Sequence, residues 1–205
     1  MNDHVDDQHP HLVELEEFVL FRGMSSEKIA NLVECFTLHS VNKGIDILSE
    51  GAADKDLSVI VDGYAIIHKE EAAGKRLILE FCGKGHSIGE LALAGETNRI
   101  ATVTAITNMR VLTINGDLAA KVLTENRVFL RNLLKRNVEI INRLDERLMA
   151  VSYKSINNRI SNLKLNLGRI VPGFSGDFRD LPFKMTHEMV ADYCGCSRET
   201  ISRIL

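Results

Sequence analysis

The chain has 205 residues, 45% of them hydrophobic and 26% charged, with a formal net charge of −3. That balance belongs to a globular chain long enough for two modest domains, and no apolar run approaches the roughly 18 residues that a membrane span requires. The N-terminal MNDHVDDQHPH has no basic or apolar signal region, and Cys35, Cys82, Cys194 and Cys196 form no CxxC pair, so reduced thiols in a cytoplasm are expected rather than a disulfide framework.

Charge is unevenly spread. From Tyr153 onward eight Lys or Arg stand against five Asp or Glu, whereas before it 17 stand against 23. An acidic front and a mildly basic back suggest two roles, the back one toward a polyanion.

Residues 1–17 carry six acidic side chains, no basic ones, and the histidines His4, His9 and His11. Such a segment reads as a solvated tail rather than a metal site. The run MSSEKIANLVECF then places Ile29, Leu32, Val33 and Phe36 on one helical face, with Ser25 as its N-cap. From Leu38 to about Ile114 the texture changes to short β-type runs between turn residues. Examples are LSVIVDGYAIIHK, where Asp62-Gly63 reads as a hairpin turn, and KRLILEFCGKG, which ends in a glycine pair. IATVTAIT and MRVLTI continue the pattern, and strands this short and regular predict a small all-β barrel or roll.

A long helix is predicted from roughly Asp117 to Val151, with no Gly or Pro to interrupt it. Leu130, Leu134, Ile141, Leu144, Leu148 and Val151 recur in steps of three and four, and Asn137 fills the remaining position of a heptad seam. A helix packed on its own domain has the same pattern. Asn137 favours a two-stranded coiled coil, because a buried Asn can fix the register of a helix pair. The run KSINNRISNLKLNLGRI reads as a second helix, VPGFSGD as a loop and FRDLPFKM as an extended piece containing Pro182.

MTHEMVADYCGCSRETISRIL has the layout of a helix-turn-helix. Thr186 caps the first helix, whose apolar side is Met189, Val190 and Cys194; Gly195 permits the turn and Ser197 caps the second helix. There Ile201, Ile204 and Leu205 are expected inside, leaving Arg198, Glu199, Ser202 and Arg203 outside. Arg suits guanine O6/N7 and Glu suits cytosine N4, although a solvated amphipathic helix has the same residues.

Between two predicted strands lies GHSIGELALAGETNRIATV. Gly89-Glu90-Leu91 precedes Arg99, after which come Ile100 and the small residues Ala101 and Thr102. A flexible Gly lets backbone N–H groups approach an anion, and Arg99 suits bidentate pairing with phosphate oxygens. Glu90 would be repelled by phosphate but can accept from sugar hydroxyls. One acid and one base at this spacing suit a compact ligand carrying both groups.

This stretch resembles the phosphate-binding cassette of cyclic-nucleotide-binding domains, Gly-Glu-Leu-Ala-Leu, a loop, then Arg and Ala-Thr-Val. Together with LFRGMSSEKIANL, EGAADKDLSVIVDG, the long helix and GCSRET, nearly all of residues 18–205 resembles the cyclic-AMP receptor protein and FNR family of bacterial transcription regulators. The resemblance implies an α+β fold: an N-terminal β-roll of double-stranded β-helix type over residues 18–116, a dimerisation helix over 117–152 and a C-terminal winged helix-turn-helix over 153–205. It further implies that Gly89, Glu90 and Leu91 line the sugar side, that Arg99 holds a cyclic phosphate, and that Ile100 and Ala101 lend backbone amides. Ser197, Arg198, Glu199, Ser202 and Arg203 become the DNA-facing set, reading TGTGA-like half-sites, with RNA polymerase a further partner.

Two positions depart from the family pattern. Ile100 stands where Ser or Ala is usual, and Leu144-Asp145 stands where a Thr-Ser pair reaches the adenine of cyclic AMP. The family also continues the last helix and adds a hairpin wing beyond the point where this chain ends. The expectation is therefore a cytoplasmic homodimeric regulator, not an enzyme, whose effector is a cyclic nucleotide, cyclic AMP before cyclic GMP, with no metal. The alternatives are a redox or haem sensor of the same family, with His68 or His86 as haem ligands, and a nucleotide-binding dimer module without DNA binding. Residues 1–30 contain no Cys for an N-terminal iron–sulfur cluster.

Overall fold

A computed structural model describes residues 12–71, 74–95, 98–123 and 125–205. His4, His9 and His11 lie outside the described residues. Two short helices, α1 (Leu12–Glu17) and α2 (Ser26–Val33), lead into eight strands. These are β1 (Thr37–Val41), β2 (Asp46–Leu48), β3 (Leu57–Asp62), β4 (Ala65–Glu70), β5 (Arg76–Cys82), β6 (Ser87–Ile88), β7 (Thr102–Ala105) and β8 (Met109–Ile114). They form two antiparallel four-stranded sheets, ordered β1-β8-β3-β6 and β2-β7-β4-β5. The inward side chains Leu48, Ile60, Ala65, Ile88, Val103 and Val111 close the space between them. This is the expected roll, and each strand is too short to bury its apolar positions without the facing sheet.

Asp62-Gly63 is not a hairpin turn. β3 and β4 belong to different sheets, so the chain turns a corner there and crosses from one to the other. Gly63 sits at φ 89, and a Cβ on it would lie 2.5 Å from the Asn108 carbonyl oxygen, so the corner admits no side chain. Ser25 occupies the N-cap position of α2 with extended backbone, but its hydroxyl makes no capping bond.

The predicted single helix from Asp117 to Val151 is two: α3 (Gly116–Leu123) and α4 (Arg127–Tyr153). Asn126 divides them, its side chain accepting from the amides of Val128 and Phe129 at 3.0 and 3.2 Å. A capping Asn starts a new helix here without any help from Gly or Pro. After α4 come α5 (Ile156–Ile170), capped by Ser155, then α6 (His187–Cys194) and α7 (Arg198–Ser202). The segment FRDLPFKM, expected extended, contains a 3-10 turn at Phe178–Asp180 that is capped by Asp177.

Two further cores flank the roll, one on each sheet. One packs α1, α2, α3 and the start of α4 on β3 and β8 through Phe18, Phe21, Ile29, Leu57, Ile114 and Phe129. The other joins the C-terminal helices to the roll itself: Ile66, Ile78 and Phe81 of the β2-β7-β4-β5 sheet share one buried cluster with Leu163, Phe183, Tyr193 and Ile201. Arg76 of β5 clasps Asp192 of α6 at 2.8 Å over this contact. The helix-turn-helix is thus seated directly on the roll.

Candidate functional site

The cassette begins where β6 ends. Gly89 turns the chain at φ 88, and a Cβ on it would meet the Arg99 Nη1 atom and the Asp56 carbonyl, each at 2.6 Å. The residues that follow form a single 3-10 turn, Glu90–Ala94, rather than an α-helix, and Gly95 closes it at φ 95. On the far side, the Arg99 amide donates to the Ala52 carbonyl and its own carbonyl accepts from the Gly51 amide, both at 2.8 Å. The arginine is thereby sewn to the loop that precedes β3.

Arg99 is buried, and its guanidinium is well occupied. Nε donates to Asp54 Oδ1 at 3.0 Å, Nη2 donates to the same carboxylate oxygen and to the Asp56 carbonyl at 2.7 Å, and Nη1 donates to the Gly89 carbonyl at 3.2 Å. Asp54 was invisible as a site residue from the sequence, since it lies 45 positions from its partner.

Gly89, Glu90, Leu91, Arg99, Ile100 and Ala101 all line one cavity of about 190 Å³. Leu48, Ile67, Leu79 and Val103 of the strands also line it, and Arg136, Ile140 and Leu144 border it from α4. Ala101 is buried, whereas Leu91 and Ile100 are exposed at the mouth. The amides of Ile100 and Ala101 make no hydrogen bond among the described residues, and the buried Ser87 hydroxyl lies in the wall beside Glu90. Burial raises the Glu90 carboxyl above its ordinary range, against the pull of its own backbone amide and of Arg136. An apolar floor, an arginine, free amides and a carboxyl able to face hydroxyls suit a compact polar ligand carrying an anion. Asp145 is exposed and is not part of this wall, while Leu144 is.

The helix that borders the cavity is turned in an unusual way. Between the buried Phe129 and Ala150 its inward face is polar: Asn132 donates to the carbonyls of Leu20 and Arg22, Arg136 and Arg143 donate to Glu80 Oε1 of β5, and Arg147 donates to the carbonyls of Leu79 and Tyr193. Its outward face is apolar, with Leu134, Ile141, Leu144, Leu148 and Val151 exposed. Leu130 is partly buried against the first core, and Asn137 is half-buried. The apolar stripe is legible in the heptad spacing, whereas the role of the arginines is not.

The two histidines considered as haem ligands are held within the roll. His68 is buried, its Nε2 bonded to Thr104 Oγ1 at 2.8 Å, and burial lowers its pKa. His86 Nδ1 lies 3.1 Å from the Gly83 carbonyl, and burial together with Arg136 lowers its pKa to about 4. Among the described residues no cluster of three or more His, Cys, Asp or Glu could hold a metal ion.

At the C-terminal end Thr186 caps α6 by accepting from the Met189 amide, Gly195 takes the left-handed conformation at φ 65, and Ser197 caps α7 by accepting from the Thr200 amide. Cys194 is buried and its thiol pKa is pushed up to about 12 by burial. Ser197, Arg198, Glu199, Ser202 and Arg203 are all exposed, and Ser202 Oγ lies 2.9 Å from His187 Nδ1. Ile201 is fully buried, but Ile204 and Leu205 are exposed rather than inside. α7 ends at Ser202, and beyond the Arg203 C-cap the amides of Ile204 and Leu205 both donate to the Ile201 carbonyl, at 2.9 and 3.0 Å.

Among the described residues no helix is long and apolar enough to cross a membrane. The cyclic nucleotide-binding domain model matches residues 38–126, and the model for bacterial regulatory proteins of the crp family matches residues 183–205. The chain is 27% identical over 169 residues to the cAMP-activated global transcriptional regulator CRP of Salmonella typhimurium, covering 82% of this chain and 80% of that protein. It is 22% identical over 186 residues to a CRP-like cAMP-activated global transcriptional regulator of Mycobacterium tuberculosis, covering 91% and 83%. Its fold superposes on that of the c-di-GMP responsive global regulator CLP of Xanthomonas campestris with a TM-score of 0.73 at 17% identity, covering 88% and 90% of the two chains. With one matched segment on the roll and another on the helix-turn-helix, the chain is similar to bacterial transcription regulators of the crp family that carry a cyclic nucleotide-binding domain.

Proposed function

We propose that the protein is a homodimeric, cytoplasmic regulator that takes a cyclic nucleotide in the cavity between the roll and α4 and binds two-fold-symmetric DNA through α7. The observation that carries this reading is the convergence of Gly89, Glu90, Arg99 and Ala101 on one cavity bordered by a helix whose outer face is apolar. In this reading Arg99 holds the cyclic phosphate with the Ile100 and Ala101 amides, Glu90 accepts from a ribose hydroxyl, and Gly89 and Leu91 border the sugar. The partner's α4 covers Leu134, Ile141, Leu144, Leu148 and Val151, with Leu130 and Asn137 in the same seam. Cyclic AMP is preferred over cyclic GMP because the curated relatives above are cAMP-activated.

A ligand against Arg136, Ile140 and Leu144 touches the same helix that carries Arg143 and Arg147 to β5 and α6. Binding would therefore bias how the helix-turn-helix sits on the roll, a shift between two populations. Ser197, Arg198, Glu199, Ser202 and Arg203 face DNA in this scheme, with TGTGA-like half-sites as the target and contact with RNA polymerase following from it. The test is calorimetric titration of the protein with cyclic AMP and cyclic GMP. Saturable binding that Arg99→Leu abolishes supports the reading; no binding of either nucleotide overturns it.

A further inference from the structure

A second cavity of about 240 Å³ adjoins the first, sharing Leu79, Glu80, Arg136, Ile140 and Leu144 with it, where β5, α4, α5 and α6 meet. Four guanidiniums line it, from Arg136, Arg143, Arg147 and Arg169, against two carboxylates, Glu80 and Glu139. The pairing is lopsided. Arg136 and Arg143 both donate to the same oxygen, Glu80 Oε1, at 3.3 and 2.6 Å. Arg147 has no carboxylate: it donates to the carbonyls of Leu79 and Tyr193 at 3.0 and 2.8 Å and stacks over the Tyr193 ring at 4.5 Å. Arg169 makes one hydrogen bond among the described residues, donating to Asn166 Oδ1 at 3.3 Å. Gathering positive charge in a half-enclosed space without matching acids is costly unless an anion completes the set.

We propose that this cavity is a second site for a small phosphate-bearing anion with at least two negative charges, held by Arg147 and Arg169 between α4 and α5. Arg147 keeps its Nε–H and further Nη hydrogens free of the bonds above, and Arg169 keeps most of its fork, so the two can each pair with phosphate oxygens. Burial lowers the Arg147 pKa, so a bound anion would favour its charged form. The apolar walls from Ile140, Leu144 and Ile170 leave room for the remainder of an esterified ligand. Because Arg147 also grips α6 through the Tyr193 carbonyl, an anion here strengthens the seat of the helix-turn-helix on the roll. This site shares no phosphate-holding residue with the cassette.

The test is isothermal titration of the full chain with pyrophosphate at constant ionic strength, without cyclic nucleotide. One saturable event per chain is expected, weakened roughly tenfold or more by Arg169→Gln and by Arg147→Gln. It should be unchanged by Arg99→Leu, which empties the cassette, and by Arg179→Gln, an exposed arginine elsewhere. Arg169 is itself exposed and contributes little to packing, so its variant stands if Arg147→Gln disturbs the fold. Absence of saturable binding would mean that Arg147 serves only as a clamp on the Leu79 and Tyr193 carbonyls. Loss in Arg99→Leu would return the anion to the cassette, and equal loss in Arg179→Gln would reduce the effect to general charge. Any of these outcomes overturns the proposal.

Discussion

Asp54 holds Arg99: its carboxylate accepts from both Nε and Nη2 of the guanidinium, in the position where a bidentate anion would sit. Asp54 lies on the irregular stretch between Gly51 and Asp56, and its side chain is 42% exposed whereas that of Arg99 is 6% exposed. The pair is therefore asymmetric, a part-exposed acid on a buried base. An incoming phosphate has to displace the acid before it can use the base. Asp54→Asn should tighten cyclic nucleotide binding by on the order of 1 kcal/mol, while Arg99→Leu should weaken it by on the order of 2–3 kcal/mol. Calorimetry on the two variants checks both signs. Weaker binding in Asp54→Asn would show that the acid orients the arginine rather than competing for it.

The apolar outer face of α4 predicts the oligomeric state. Leu148 is 66% exposed and lines neither cavity described above, unlike Leu144. Leu148→Glu should place like charges face to face in the seam and convert a dimer into a monomer on light scattering, with the circular dichroism spectrum retained. A wild-type protein that already scatters as a monomer would remove the basis of this prediction.

Acid should loosen the junction between the roll and α4. His86 faces Glu80 across 4.0 Å, with Arg136 and Arg143 on the same carboxylate, and its folded pKa is about 4 against an ordinary 6.5. Between those values the unfolded chain binds a proton that the folded chain does not, so stability rises with pH across the window and falls on acidification. The slope is about 1.4 kcal/mol per pH unit. Glu90 acts oppositely just above its ordinary range, because its raised pKa lets the folded chain hold the extra proton. Urea midpoints from pH 4.5 to 7 for wild type and His86→Asn separate the two: the variant should lose the rising slope. An unchanged slope would assign the acid sensitivity elsewhere.

Arg203 is exposed at the end of α7, clear of the buried Ile201 that anchors the helix. Arg203→Ala should cost roughly 1–3 kcal/mol on a specific palindromic site and relax base preference at one position. Competition binding at fixed salt against half-site variants measures this, with non-specific DNA as the reference. A loss shared equally by every sequence would mark a phosphate contact, and no loss would leave α7 a solvated helix.

Several features were legible in the chain because they are local. The caps at Thr186 and Ser197, the left-handed Gly89 and Gly195, and the short strands each depend on a few consecutive residues and their backbone preferences. The spacing from Gly89 to Arg99 was enough to place both on one cavity, since a single loop connects them. Even local reading had limits. Asp62-Gly63 has the composition of a hairpin turn, yet only the partners of β3 and β4 reveal that the chain changes sheets there.

What tertiary structure alone decided is charge placement. The sequence lists Arg136, Arg143 and Arg147 on a helix, and that spacing suits a solvated face as well as a buried one. Packing turned these arginines toward Glu80 and the Leu79 and Tyr193 carbonyls, and turned Leu134, Ile141 and Leu148 outward. The same holds for Asp54 and Arg99, which meet across 45 positions. Helical and strand periods specify which residues share a face, but not which neighbour that face will meet. An electrostatic partner is set by distance in space, and only the folded chain determines it.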